Sequence, residues 1–199
     1  MTQATTLRAV VGLPAEPHPL KDSALVLIDC QNTYRQGTLQ LTGVEEALAE
    51  AQRLLAAARD AGIPVFHIQQ DDGPGSLFDI NADIGRIAEA VAPGGNEPVV
   101  VKNYPNSFVG TDLHERLQAI GATNLVLAGF MTHMCVNSTA RGAFNLGYNV
   151  TVVAGATATR DLPKPSGGVV PAQSIHDASL ASIADLFAVV VARTKDLAR

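Results

Sequence analysis

Three residues of different chemistry, Asp29, Lys102 and Cys135, each stand where a short aliphatic run gives way to polar sequence. Asp29 ends ALVLID, Lys102 ends PVVVK, and Cys135 closes GFMTHMC, which overlaps the end of the run NLVLA. A thiol attacks carbonyl carbon well only as its anion, a carboxylate can take its proton, and an ammonium steadies both negative charges. The three types together suit nucleophilic attack by a thiol on a carbonyl carbon. Each also has a plainer reading. Asp29 could be a turn or cap carboxylate, Lys102 a surface lysine whose stem covers a sheet edge, and Cys135 a small apolar filler. The setting of Cys135 favours the chemical reading. With Thr132 as N-cap, the thiol falls on the third helical position, where unpaired N–H groups and the positive helix end favour a thiolate and could receive an oxyanion.

The elements that would carry these residues alternate. The run 24–29 lacks polar alternation and fits a strand covered on both faces. Residues 43–62 read as a helix with an apolar stripe of Leu48, Ala51, Gln52, Leu55 and Ala58 and Gly62 near its stop, followed by a strand at 64–69. QDDGPGSLFDINADIG reads as loop. A strand at 98–102 is followed by the loop NYPNSFVG and a helix from about 112 with Thr111 as cap. Then come a strand at 124–129, a helix at 135–146 and a strand at 149–155. A long loop over 156–173 precedes the helical pattern SIHDASLASIADL and a last strand at 187–192. This order predicts an α/β three-layer sandwich with a mostly parallel sheet of about six strands. Sites in such sheets form outside the carboxyl ends of the strands. Asp29 and Gln31, His67, Gln69 and Gln70, Lys102, and the Thr132–Cys135 turn all fall there.

The 199 residues suffice for one domain with a full core, 1–199, whose first 20 residues form an N-terminal extension. Fourteen Lys and Arg against nineteen Asp and Glu give −5 with no basic stripe, which argues against nucleic acid. No apolar run reaches the roughly 18 residues of a membrane span, and the N-terminus lacks a signal-peptide pattern, so the expectation is a cytoplasmic protein. Cys30 and Cys135 lie far apart and make neither a ligand pair nor a disulfide framework. Cys30 should point away from Asp29 and pack.

The stretches LVLIDCQNTY, VVVKNYPNSFVGTDL and LAGFMTHMCVNSTARGAFNLGYNVTVVAGATATRD, in this order and spacing, resemble the isochorismatase-like cysteine hydrolase superfamily. The resemblance runs from about residue 20 to the end. It implies a Rossmann-like fold and a triad of Asp29, Lys102 and Cys135. It also implies a cis Phe130–Met131 peptide and an oxyanion hole made by the Met131 and Cys135 N–H groups. By position, Gln31 orients groups near the triad, Tyr34 forms a pocket wall, Phe108 adds an apolar surface, and His133 lines the pocket or a contact between subunits. His114 and His176 are expected at the surface or an interface. No cofactor is implied, and a homodimer or homotetramer is.

Two departures narrow the chemistry. Metal-dependent nicotinamidases carry Asp-x-His after the second strand, where this sequence has Gln70, Asp71 and Asp72. His67 upstream does not make a zinc set with Asp72 alone, so no metal is expected. Isochorismatase proper needs no covalent cysteine, and the presence of Cys135 resembles the amidohydrolase branch. The implied activity is cleavage of a small-molecule amide, lactam or carbamoyl C–N bond. The alternatives are hydrolysis of an isochorismate-like enol ether and a non-catalytic binding, scaffold or thiol-sensing role.

Overall fold

The computed structural model describes residues 4–197. Its centre is a six-stranded sheet in the order β3-β2-β1-β4-β5-β8, every pair parallel. The strands are β1 (Ala24–Ile28), β2 (Val65–Gln70), β3 (Val99–Lys102), β4 (Asn124–Phe130), β5 (Asn149–Ala158) and β8 (Val189–Val191). All five residues of β1 and all seven of β4 are buried, as their unbroken apolar sequences predict for strands covered on both faces. Helix α2 (Val44–Asp60) covers one face. Helices α3 (Leu113–Ala119), α4 (Asn137–Asn145) and α5 (Ala172–Ala184) cover the other. The result is the three-layer α/β sandwich read from the sequence.

The buried apolar side of α2 consists of Val44, Ala47, Leu48, Ala51, Leu54, Leu55 and Ala58. Gln52, included in the expected stripe, is exposed, and Leu54 takes the inward position instead. Leu54 and Leu55 each contribute about 1.5–3 kcal/mol by leaving water. Helix α3 starts one residue later than expected, with Asp112 as N-cap. Thr111 instead donates its hydroxyl to the Ser107 carbonyl at 2.6 Å, tying down the loop behind β3.

The 156–173 segment is less of a loop than its sequence suggests. Strand β5 runs on to Ala158 past a register shift opposite β4, and a small antiparallel hairpin follows, β6 (Leu162–Pro163) with β7 (Val169–Val170). The N-terminal segment is anchored by its short helix α1 (Leu7–Val10). Arg8 donates to the Pro14 and Leu186 carbonyls at 2.6 and 2.9 Å, holding this segment against the chain that follows α5.

Gly129 marks a close approach of β4 to the backbone of β1. It has φ +115°, and a Cβ there would meet the Ile28 carbonyl oxygen at 1.9 Å. Only the backbone of β1 could give way, and it is paired on both sides. Gly129→Ala is therefore expected to destabilise the fold by about 3 kcal/mol or more. A urea titration of the two proteins measures this.

Candidate functional site

Register brings the polar strand ends to one rim. Ile28 pairs with Ile68 of β2 and Gly129 of β4, and Gln70 pairs with Lys102 of β3. Asp29, Gln70, Lys102 and the turn after Phe130 therefore emerge side by side. Asp29 adopts φ +48°, a left-handed conformation that Asp tolerates better than most side chains. Its N–H still donates to Ile68 at 3.0 Å, so the chain leaves the sheet abruptly at this residue.

The Asp29 and Lys102 side chains are wholly buried and form an ion pair, Nζ to Oδ2 2.7 Å. The same ammonium lies 3.5 Å from Cys135 Sγ and donates to Gln70 Oε1 at 2.7 Å. The Gln70 amide nitrogen in turn donates to Asp72 at 2.5 Å. One lysine thus touches the carboxylate, the thiol and a neutral amide. Neither Asp29 oxygen has a well-aligned hydrogen bond, which leaves the carboxylate with acceptor capacity to spare. Burial pushes the Asp29 carboxyl up from its ordinary value, with Lys102 opposing. Burial, then the Asp29 charge, push the Cys135 thiol up to about 12, again against Lys102.

This corrects the sequence reading of Cys135. Residues Thr132–Val136 form one wide π-helical turn ahead of α4, and Thr132 gives no side-chain cap. Its hydroxyl lies 3.0 Å from His176 Nδ1 of α5 instead. Desolvation opposes any pull of the helix end, so burial favours the neutral thiol. The Phe130–Met131 peptide bond is cis.

The remaining expected residues fall as follows. Gln31 is buried, and its amide donates to the carbonyls of Gln70 and Gly85 at 2.9 and 2.7 Å while accepting the Gln70 N–H at 2.9 Å. It braces the end of β2, and these bonds occupy both ends of its amide. Tyr34 is buried edge-on against Phe130 and Phe78, close enough to Asp29 and Cys135 for burial first and their charges next to raise its phenol. Phe108 is half-buried and stacks on Tyr148 at 5.9 Å, at the edge of the cluster that also holds Cys135. His133 Nδ1 lies 2.6 Å from the Thr159 hydroxyl.

His67 is not at the rim: its ring is buried and bonds Glu97 at 2.8 Å, with Arg59 on the same carboxylate. Cys30 packs in the core on the α2 side, as expected, although the chain has already left the strand at Asp29. His114 bonds the Tyr148 hydroxyl at 2.9 Å, and His176 the nucleophile turn, so both hold elements together. The sequence reading missed Gln70 as a partner of Lys102. Its place at the end of β2, opposite Lys102 in a parallel pair, was the available signal.

The isochorismatase domain matches residues 23–195. The chain belongs to the isochorismatase family. It is 40% identical to an isochorismatase of Pseudomonas putida whose crystal structure superposes with a TM-score of 0.94, covering 98% of this chain and 100% of that one. It is 35% identical to a secreted isochorismatase effector of Verticillium dahliae over 97% of this chain and 99% of that protein. It is 31% identical to a ureidoacrylate amidohydrolase of Stutzerimonas stutzeri over 74% and 75% of the two chains. With a buried thiol in contact with a lysine that is itself paired to a carboxylate, the family member described here is a cysteine-dependent hydrolase. Among the described residues no helix is long and apolar enough to cross a membrane.

Proposed function

We propose that the protein hydrolyses a C–N bond of a small molecule, an amide, lactam or carbamoyl group, through a thioester on Cys135, with no cofactor. The observation that carries this reading is the Lys102 ammonium in contact with both the Asp29 carboxylate and the Cys135 sulfur. The amidohydrolase relative supports the choice of bond.

The thiol value decides the order of events. Burial and the neighbouring Asp29 charge both disfavour a free thiolate at that site. The proton therefore passes to Asp29 as the sulfur attacks the carbonyl carbon. A buried carboxyl with a raised affinity for protons is suited to receive it. The carbonyl electrons move to oxygen, which the Met131 and Cys135 N–H groups hold. Protonated Asp29 gives its proton to the leaving nitrogen as the C–N bond breaks, leaving a thioester. Water, deprotonated by Asp29, then attacks the same carbon, and the sulfur leaves and regains the proton. Lys102 stays protonated and offsets the charge on Asp29 and on sulfur in turn.

Gln31 serves this site as a brace, Tyr34 as an apolar wall, and Phe108 and His133 as lining. Tyr104 and Met134, sequence neighbours of Lys102 and Cys135, are exposed and support an assembly in which a second copy covers the rim. A single domain in the cytoplasm completes the reading. A panel of amides, lactams and carbamoyl compounds, followed by released ammonia or amine and by intact-mass detection of an acyl adduct on Cys135, tests it. Turnover with no adduct under rapid acid quench, and full activity after thiol alkylation, would sink it.

Gln70 contributes a separate expectation. Gln70→Leu removes a neutral acceptor from a buried ammonium and should cost about 1–3 kcal/mol of stability. Chemical denaturation reads this directly.

A further inference from the structure

A lysine ammonium has three N–H bonds, and that of Lys102 has three neighbours: the Asp29 carboxylate at 2.7 Å, Gln70 Oε1 at 2.7 Å and the Cys135 sulfur at 3.5 Å. Two of these belong to the reaction proposed above. The third is a neutral amide, and an amide helps a cation in one orientation only. A glutamine carries an acceptor and a donor on nearly the same outline. Turned over, Gln70 would set its NH2 group against the ammonium and push it away from the carboxylate and the sulfur.

The far end of the amide meets Asp72, whose Oδ1 accepts from Gln70 Nε2 at 2.5 Å. With a carboxylate on one side and an ammonium on the other, both contacts attract in the observed orientation and both repel in the flipped one. Asp72 is exposed, yet the chain around it is tied down. The Asp71 N–H donates to the Lys102 carbonyl at 2.9 Å, the Asp71 carbonyl accepts from Asn103 at 2.6 Å, and Asp71 Oδ1 accepts the Gly73 N–H at 2.9 Å. Among the described residues Asp72 makes no ion pair, and its side chain has no hydrogen bond except that to Gln70. A carboxylate held in place with a single buried amide as its partner has the form of a lock on that amide. Its charge is also felt at the site, where it helps raise the Tyr34 phenol after burial and the charges of Asp29 and Cys135.

We propose that Asp72 is a positioning residue for the reaction: by holding the Gln70 amide it keeps an acceptor against Lys102, and so fixes the ammonium between the Asp29 carboxylate and the Cys135 sulfur. The inference rests on the thioester reading for its effect on turnover, and on the contact between ammonium and sulfur alone for its effect on the thiol. Two opposite effects of removing Asp72 can be told apart by sign. Loss of a nearby negative charge by itself favours the thiolate and speeds its reactions. Loss of the lock frees the ammonium, which opposes the rise that burial and Asp29 impose on the thiol, and so slows them.

The test measures the rate at which iodoacetamide alkylates Cys135, located by peptide mass, in the wild-type protein, Asp72→Ala, Asp72→Asn, Gln70→Leu and Gln70→Leu/Asp72→Ala. Release of nitrophenolate from p-nitrophenyl acetate gives kcat and KM beside it. Asp72→Ala should slow alkylation about 5–10-fold and lower kcat by a similar factor, with KM within about threefold of wild type. Asp72→Asn drops the charge but keeps an oxygen for Gln70 Nε2, and should stay within about threefold of wild type in both rates. In the Gln70→Leu background, Asp72→Ala should add less than about twofold, because Asp72 acts through that amide. Unchanged or faster alkylation in Asp72→Ala, equal losses in Asp72→Ala and Asp72→Asn, or independent losses in the double variant overturn the proposal. Slowed alkylation in Asp72→Ala, alongside nitrophenolate release that survives alkylation of Cys135, would leave this positioning standing and remove the thioester reading. An acyl adduct on Cys135 together with alkylation indifferent to Asp72 would do the reverse.

Discussion

Cys135→Ala is expected to lower kcat by about 10⁴-fold or more on any substrate the wild-type protein hydrolyses, with the fold retained. The chemistry leaves no bypass: the neighbouring hydroxyl, Thr132, faces His176, and Cys30 packs on the α2 side of the sheet. Alanine removes one sulfur from a site already nearly closed, so the packing loss is small beside the catalytic one. Near-unchanged thermal unfolding alongside the lost rate would separate the two. Cys135→Ser keeps the shape but offers a hydroxyl far harder to deprotonate, and should be equally slow. The enol-ether alternative predicts the opposite, since protonation of a vinyl ether and attack by water need no covalent sulfur. A Cys135→Ala protein within tenfold of the wild-type rate would favour that chemistry and end the thioester account.

Legibility in the sequence followed the physics of each feature. Strands β1, β4 and β5 announced themselves because a parallel strand covered on both faces admits almost no polar residue. Once β1 and the shorter β3 were placed in one parallel sheet, Asp29 and Lys102 had to emerge at one rim, because parallel strands share their carboxyl ends. The ionisation state of Cys135 was not legible. Helix position argues for a thiolate, but the sign of the shift depends on how completely the surrounding side chains exclude water, and that is a property of three dimensions. The wide turn at Thr132–Val136 escaped for a related reason: THMCV carries good capping signals, while His176 from α5 competes for the threonine hydroxyl. The role of Gln70 and the pairing of His67 with Glu97 depend on partners 32 and 30 residues away, beyond the reach of local pattern.

Lys102→Met should separate stability from catalysis at this site. Methionine matches the lysine stem in length but leaves Asp29 buried without a cation, which should destabilise the protein by about 3–5 kcal/mol near neutral pH. Total stabilities of about 5–15 kcal/mol leave room for such a variant to fold. The penalty has a defined pH dependence. Burial already raises the Asp29 carboxyl, and Lys102 opposes that rise, so its removal raises the carboxyl further. A group that binds its proton more tightly when folded stabilises the fold below its unfolded pKa and loses that contribution as pH rises through its folded value. The deficit of Lys102→Met relative to wild type should therefore be smallest in mild acid and grow toward neutral pH. The double variant Asp29→Asn/Lys102→Met removes both charges and should recover much of the stability at neutral pH, yet remain inactive for want of a proton acceptor. Urea titrations across pH, run beside ammonia-release assays, measure both quantities. A deficit independent of pH, or a double variant no more stable than the single, would show that the ammonium is not there chiefly to hold the Asp29 charge. The electrostatic role given to Lys102 in the reaction would fall with it.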